Sequence, residues 1–349
     1  MKDKTFGFGI IGTGTIAGVH AKAISEIENA SLVAVYDIVE EKAARFASEY
    51  GAESYSSLEA FFSDERVDIV TITTPSGAHL EPALKAIEHR KNVIIEKPME
   101  VTAERIDLLI AKAKEYGVIL SGVFQSRFHE APLLIKKAIE GGRFGRISLI
   151  DAQIKWYRSQ EYYDSVPWRG TWKLDGGGAL MNQGIHAIDL LCWFGGKVKN
   201  VSARTQTLGH TNIEVEDTAS AVLEFENGAL GVIEGTTCCY PGFLKRIEIA
   251  GTDGSAVLEE ESLKCWSFKE ETEEDERIRE KFLNYTLTGG GASDPKAIGW
   301  HGHRKVFENV IDALKNGTTP SITGEEARKS VALIEAVYKS SREQRRIDL

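Results

Sequence analysis

Cysteine is scarce in this chain, with four in 349 residues, two of them adjacent (Cys238 and Cys239) and none in a C-x-x-C pair. That excludes a disulfide framework and a cysteine zinc site, and it favours a reducing compartment, so a cytoplasmic protein is expected. Long apolar runs are missing too: none approaches the roughly 18 residues of a membrane span. The segment "MKDKTFGFGIIGTG" has a short apolar stretch ending in glycines, without the longer apolar segment and cleavage site of a secretory leader. An excess of basic residues is also lacking. Lysine and arginine number 42 against 52 aspartates and glutamates, a formal charge of −10. Such a field repels nucleic-acid phosphates and anionic lipid, so neither nucleic acid nor a membrane is an expected partner. Among the histidines, His301-x-His303 has no third ligand at a useful spacing, and no metal is expected.

What is present is the composition of a globular protein, 42% hydrophobic and 27% charged, long enough for two domains. From Phe6 to about Phe124, short apolar runs ("FGFGII", "SLVAVYD", "DIVTITT", "NVIIEKP", "VILSGVF") alternate with helical periodicity over 40–50, 58–63, 80–89 and 103–116. This is the βαβ pattern of a parallel sheet covered on both faces. After about Asp151 the runs lengthen, alternate apolar with polar, and carry Asn227-Gly228 and Asp253-Gly254 between strand-like halves. Those dipeptides suit tight hairpins in a mainly antiparallel sheet with one wet face. Helices are expected over about 178–194 and 304–315 and again near the end. The acidic run "KEETEEDER" reads as a solvated face or loop. The expectation is an α/β protein with a dinucleotide-binding domain over 1–124 and a second domain over 125–349, whose C-terminal helices can pack back on the first.

The motif Gly12-x-Gly14-x-x-Ala17 follows a strand and opens a helix. Gly12 suits the tight turn, Gly14 lets the backbone approach a pyrophosphate, and Ala17 allows close helix packing, while the N–H groups of Thr15 and Ile16 face the phosphates. Asp37 closes the next strand, where an acid bonds the adenosine ribose hydroxyls. Its charge repels a 2′-phosphate, and Ile38 rather than an arginine follows, so NAD is favoured over NADP. Ligands gather at the carboxyl ends of parallel strands, which makes Thr74, Pro75 and His79 of "TTPSGAHL" candidates for the nicotinamide side. His79 reads equally well as a helix-start histidine with no chemistry.

Lys97 ends a buried strand in "VIIEKPM" and needs an acceptor there, such as a substrate hydroxyl. In "LDGGGALMNQGIHAIDLLCWF", Asn182 and His186 stand four apart on one helical face. Histidine has the intrinsic pKa of a general base near neutrality, although a lone helix histidine is often structural. Together, the glycine motif, "TTPSGAH", "EKPM" and "GGGALMNQGIHAIDLL" resemble the glucose–fructose oxidoreductase, inositol dehydrogenase and rhizopine-catabolism (Gfo/Idh/MocA) family across nearly the whole chain. The resemblance implies an N-terminal Rossmann domain with a doubly wound parallel sheet. It also implies a C-terminal α/β domain whose large open, mainly antiparallel sheet mediates a homodimer or homotetramer, and NAD(P)-linked sugar or polyol oxidation. It maps Lys97 and His186 onto the residues flanking the reacting carbon, and it implies a cis Lys97–Pro98 bond. Where many members carry aspartate, this chain has Asn182, which can bond a hydroxyl but cannot act as a base.

A narrower resemblance, in "WYRSQEYYDSVPWRGTWKLDGGGALMNQGIHAIDLL", is to the UDP-N-acetyl-2-amino-2-deoxyglucuronate dehydrogenases, which oxidise a sugar 3-hydroxyl and also carry asparagine. Aromatic faces and guanidinium forks are what a sugar cleft uses. Arg158 and Tyr163 are therefore candidate substrate contacts beside Lys97, Asn182 and His186. Trp168 and Arg169, with Gln125 and Glu96, are candidates on the cofactor side. The expected enzyme is an NAD-dependent dehydrogenase of a sugar or nucleotide-sugar. An inositol, free-sugar or glycoside dehydrogenase, or a non-catalytic NAD-responsive binding protein, is the alternative.

Overall fold

The computed structural model describes residues 4–283 and 299–349. The chain divides into two compact units, Met1–Gln125 with Gly299–Arg328, and Ser126–Ile298 with Lys329–Leu349. In the first, strands and helices alternate: β1 (Phe6–Ile11), α1 (Thr15–Ser25), β2 (Ala30–Tyr36), α2 (Glu40–Tyr50), β3 (Glu53–Tyr55), α3 (Leu58–Ser63), β4 (Ile69–Ile72), α4 (Leu80–Glu88), β5 (Asn92–Ile95), α5 (Ala103–Tyr116) and β6 (Leu120–Gly122). The six strands are parallel in the order β3-β2-β1-β4-β5-β6. Every residue of β1 and β4 is buried, as expected of strands covered on both faces. Strand order reverses between β1 and β4, the switch point at which such sheets open a crevice.

The second unit carries α6 (Glu130–Glu140), β7 (Ile147–Lys155), α7 (Gln160–Asp164), α8 (Ile185–Gly195), β8 (Val198–Gln206), β9 (Thr218–Phe225), β10 (Leu230–Thr236), β11 (Arg246–Gly251), β12 (Gly254–Glu259), β13 (Ser262–Phe268) and α9 (Glu273–Phe282). After α10 (His301–Asn316) and α11 (Gly324–Glu343), the short β14 (Ile347–Asp348) returns to the second sheet. That sheet runs β13-β12-β11-β7-β10-β9-β8-β14 and is antiparallel except where β7 and β10 pair in parallel. Asn227-Gly228 sits in the connection between β9 and β10, and Asp253-Gly254 spans the end of the β11–β12 connection and the first residue of β12. One face of β9 and β10 alternates into the core while Leu149, Val222 and Leu230 on the other face are 39%, 57% and 53% exposed.

The acidic run is partly helical: Thr272 and Asp275 form a capping box, and four acidic residues fill the first turn of α9. Carboxylates at a helix N-terminus favour the dipole, an effect that charge counting alone does not register. Closer to the motif helix, the Arg127 guanidinium bonds both oxygens of Asp189, at 2.8 and 2.7 Å, with the pair 4% and 1% exposed. This fork ties the turn Gln125–Phe128 to α8 and lies over the Trp193 ring. Breaking a buried pair by removing one partner costs about 3–5 kcal/mol. Arg127→Leu should therefore lower the calorimetric melting temperature by on the order of 10 °C, given roughly 2–4 °C per kcal/mol for a unit of this size. Arg127→Leu with Asp189→Leu together should recover much of the loss.

Candidate active site

The glycine turn has the geometry a dinucleotide needs. Gly12 has a φ of +92°, and a Cβ there would meet the Thr74 nitrogen at 2.9 Å, so the turn and the end of β4 fit only with glycine between them. Around Gly14 a Cβ would have no atom of the described residues within 4 Å, leaving the space before α1 open. Having no side chain, Gly14 cannot cap α1, and the N–H groups of Thr15 and Ile16 remain for an anion. Asp37 stands against this turn: its Oδ2 accepts from the Thr13 nitrogen and hydroxyl at 2.8 and 2.9 Å, and its Oδ1 accepts from the Val39 nitrogen at 2.9 Å. A cavity of about 550 Å³ opens beside it, lined by Thr13, Gly14, Thr15 and Gly18 and by Glu41, Lys42, Arg45 and Glu49 of α2. Small residues, N–H groups facing open space and an acid held beside the turn fit the phosphates and ribose of NAD.

The ends of β4 and β5 lie beside that turn. The Thr73 hydroxyl donates to the Gly12 carbonyl at 2.5 Å, and Thr74 and Pro75 lead into the short turn Ser76–Ala78. His79 is buried, with Nε2 facing the Thr74 carbonyl at 2.9 Å and Nδ1 facing those of Pro98 and Met99 at 3.0 and 3.2 Å. Burial holds it below its ordinary pKa. It braces the two strand ends against each other. The Lys97–Pro98 peptide is cis, and Lys97 is half-buried.

Glu96 is in the interior, 6% exposed. Its Oε1 faces His20 Nε2 at 2.7 Å and His303 Nε2 at 3.2 Å, and its Oε2 accepts from the Lys97 nitrogen at 2.9 Å. His20 Nδ1 in turn meets the Thr71 hydroxyl at 2.7 Å. Burial alone would raise the Glu96 carboxyl, but the two imidazole donors outweigh it and hold it well below the usual range. His303 therefore has companions that sequence spacing did not offer: the donor atoms of His20, Glu96 and His303 lie within 4.8 Å of one another. A second such group, His210, Asp217 and Cys238, lies in the other unit.

In the second unit the expected single helix over 178–194 has two parts, a wider π-type turn over Ala179–Gly184 and then α8. Between Asp175 and Cys192 every residue is buried except Asn182 and His186, which are both half-buried. Such a segment opens to its surroundings only at these two side chains. Arg158, 3% exposed, donates from Nε to Gln183 Oε1 at 2.9 Å and lies over the Trp156 and Tyr162 rings. Gln183 joins Tyr162 and Asn182, and Asn182 joins Asp175. Tyr163 is directed elsewhere: it is buried, its hydroxyl pairs with Thr237 at 3.0 Å, and its ring edge meets His210. Arg169 folds over the Tyr162 ring at 4.2 Å and bonds the Tyr162 carbonyl, next to Trp168.

Gln183, Asp175 and Glu216 were not read as site residues from sequence; their only signal was being polar within or beside an apolar, glycine-rich segment. Glu216 accepts from the Gly178 and Leu180 nitrogens at 3.0 and 2.8 Å and from the Tyr338 hydroxyl at 3.0 Å, anchoring the entry to the Asn182 turn. A Cβ on Gly178 would lie 2.0 Å from the Glu216 carbonyl. Burial pushes the Glu216 carboxyl up to about 7 against the pull of those three donors. The folded chain thus binds this proton more tightly than the unfolded chain. The stabilisation is full below about pH 4.5 and is lost as pH rises to 7, amounting to roughly 3 kcal/mol. Glu216→Gln should flatten the fall in melting temperature across that window, measured by calorimetry at a series of pH values; an unchanged slope would assign the fall to other groups.

Comparison with known proteins agrees with this geometry. Residues 6–124 match the model of the oxidoreductase family with an NAD-binding Rossmann fold, and residues 133–257 match the GFO/IDH/MocA C-terminal domain. Among solved structures, the chain is similar to the WlbA dehydrogenase from Bordetella pertussis in complex with NADH and UDP-GlcNAcA. That likeness has 35% identity and a TM-score of 0.89, covering 99% of this chain and 98% of the other. Myo-inositol 2-dehydrogenase of Thermotoga maritima is 26% identical, with 98% of each chain covered. Glucose-6-phosphate 3-dehydrogenase of Bacillus subtilis is 29% identical over 70% of this chain and 71% of its own. With both halves matched in order and the glycine turn, acid and strand ends in place, the chain belongs to the Gfo/Idh/MocA family of NAD-binding oxidoreductases.

Proposed function

We propose that this NAD-dependent oxidoreductase oxidises the C3 hydroxyl of a nucleotide-linked uronic acid sugar such as UDP-N-acetylglucosaminuronate. The observation that carries this reading is likeness along essentially the whole chain to a dehydrogenase solved with that sugar nucleotide, at 35% identity. The relative named for 3-dehydrogenation of a sugar phosphate supports the position on the ring. Gly12, Gly14, Thr15 and Ile16 would hold the pyrophosphate and Asp37 the adenosine ribose, with Thr74, Pro75 and Lys97 on the nicotinamide side. When bound, NAD supplies the acceptor for the hydride that leaves the sugar carbon. His186 takes the hydroxyl proton as general base. The Lys97 ammonium donates to the same oxygen, opposing the negative charge that gathers there as the proton departs. Asn182 orients a neighbouring hydroxyl, so that the reacting C–H is aimed rather than merely near. The exposed Leu149, Val222 and Leu230 on the open sheet face support a homodimer or homotetramer, and the scarcity of cysteine suits a cytoplasmic setting.

Adding UDP-N-acetylglucosaminuronate and NAD should raise absorbance of reduced nicotinamide, whereas myo-inositol should give at least about 100-fold lower kcat/KM, the discrimination expected when polar binding groups are left unpaired. The reverse preference would make the chain an inositol dehydrogenase. Lys97→Ala should lower kcat by on the order of 10³, the scale of removing one charge-stabilising donor, while the NAD dissociation constant changes less than about threefold. Loss of NAD binding with retained turnover contradicts the assignment. Asp37→Ser should weaken NAD about 10- to 100-fold, the worth of a charge-assisted hydrogen bond, and narrow its advantage over NADP in a fluorescence titration.

A further inference from the structure

Four side chains of the second unit form a hydrogen-bonded line whose direction is fixed at both ends. The Arg158 guanidinium can only donate, and it gives Nε–H to Gln183 Oε1 at 2.9 Å. The Gln183 amide nitrogen must then face the other way, where it donates to Asn182 Oδ1 at 2.6 Å and to the Tyr162 hydroxyl at 2.9 Å. Asn182 consequently turns its carbonyl to Gln183 and its amide nitrogen to Asp175 Oδ1. At the far end, the other Asp175 oxygen accepts from the Gly170 nitrogen at 2.8 Å, and the residue is 1% exposed. Both Asp175 oxygens thus accept, one from Gly170 and the other from Asn182.

From this geometry we infer that Asp175 is a positioning residue for the sugar. It sets the rotamer and the donor–acceptor sense of the half-buried Asn182 amide. This inference rests on the reading that Asn182 meets the substrate. Amide orientation is otherwise a weak preference, because the two ends of an asparagine side chain are nearly the same shape. A carboxylate on one side and an amide N–H on the other make a flip cost two hydrogen bonds at once. Asn182→Asp would instead bring two carboxylates into hydrogen-bond contact, and such a pair keeps one proton between them.

The test is a cycle of three variants: Asp175→Asn, Asn182→Asp and the two combined, each assayed with the wild type for kcat, KM and melting temperature. Asp175→Asn should raise KM for the sugar nucleotide by about tenfold or more while kcat stays within about threefold, the signature of lost binding rather than lost chemistry. Asn182→Asp should lose about 100-fold in kcat/KM at about pH 8, and its activity relative to wild type should climb as pH falls toward about 6 and the pair regains a proton. Combined, the exchanged pair should return to within about tenfold of wild type. Losses that multiply in the double variant, or a relative activity of Asn182→Asp that is flat with pH, overturn the inference. Melting temperatures separate this from failure of the proposed reaction. If the wild type oxidises no sugar at all, the functional reading falls, and recovery of stability in the double variant still supports the Asp175–Asn182 pair, while strictly additive losses sink it.

Discussion

A carboxylate sealed away from water is costly unless N–H donors surround it, and that constraint organises the first unit. Glu96 meets it with three donors from separate parts of the chain: His20 on α1, His303 on α10, and the backbone of Lys97 itself. The helix that begins at the glycine turn, the helix that arrives from the C-terminal region and the lysine at the end of β5 are thus held by one anion. From the other side, His79 fastens Pro98 and Met99 to the end of β4. The lysine backbone is fixed on both flanks, while the rest of its side chain extends from a frame that does not have to be assembled when a ligand arrives.

The second unit uses the same device on its loops. Glu216 gathers the nitrogens of Gly178 and Leu180, Asp217 gathers those of Leu208, Gly209 and His210, and Asp175 takes that of Gly170. Glycine-rich segments have the most conformational freedom to lose, and side-chain carboxylates aimed at their N–H groups replace the regular ladder that such segments cannot form. The consequence for chemistry is rigidity where sequence composition suggests looseness. Asn182 projects from a turn whose backbone is bonded at its entry and His186 from the first turn of α8 that follows it, with the residues around both packed in the interior.

Much of the architecture was legible because periodicity is local. Five apolar runs and the helices over 40–50, 58–63 and 103–116 needed only neighbouring residues to be seen, and two glycine dipeptides marked their hairpins. Short or polar elements escaped: β3 spans three residues, and α9 opens with an acidic turn whose capping box is its only regular signal. At the site, the motif residues announced themselves by type and spacing, but their partners did not. Glu96 and His303 are 207 positions apart, and no pattern within a window connects them. Tyr162 and Tyr163 are indistinguishable as adjacent letters. Only the register of a five-residue helix decides that one hydroxyl meets Gln183 while the other meets Thr237. The π-type turn was likewise invisible, because the segment is buried on nearly every face and offers no polar contrast from which a change of period could be read.

The return of residues 299–328 to the first unit sets an order of events on the ribosome. All six parallel strands are made early, yet the helix that brings His303 to Glu96 emerges only after every strand of the second sheet but β14 has been synthesised. Until then the nascent first unit holds its buried acid with one imidazole fewer. Vectorial completion, usually the privilege of the N-terminal domain, is here postponed to nearly the end of translation.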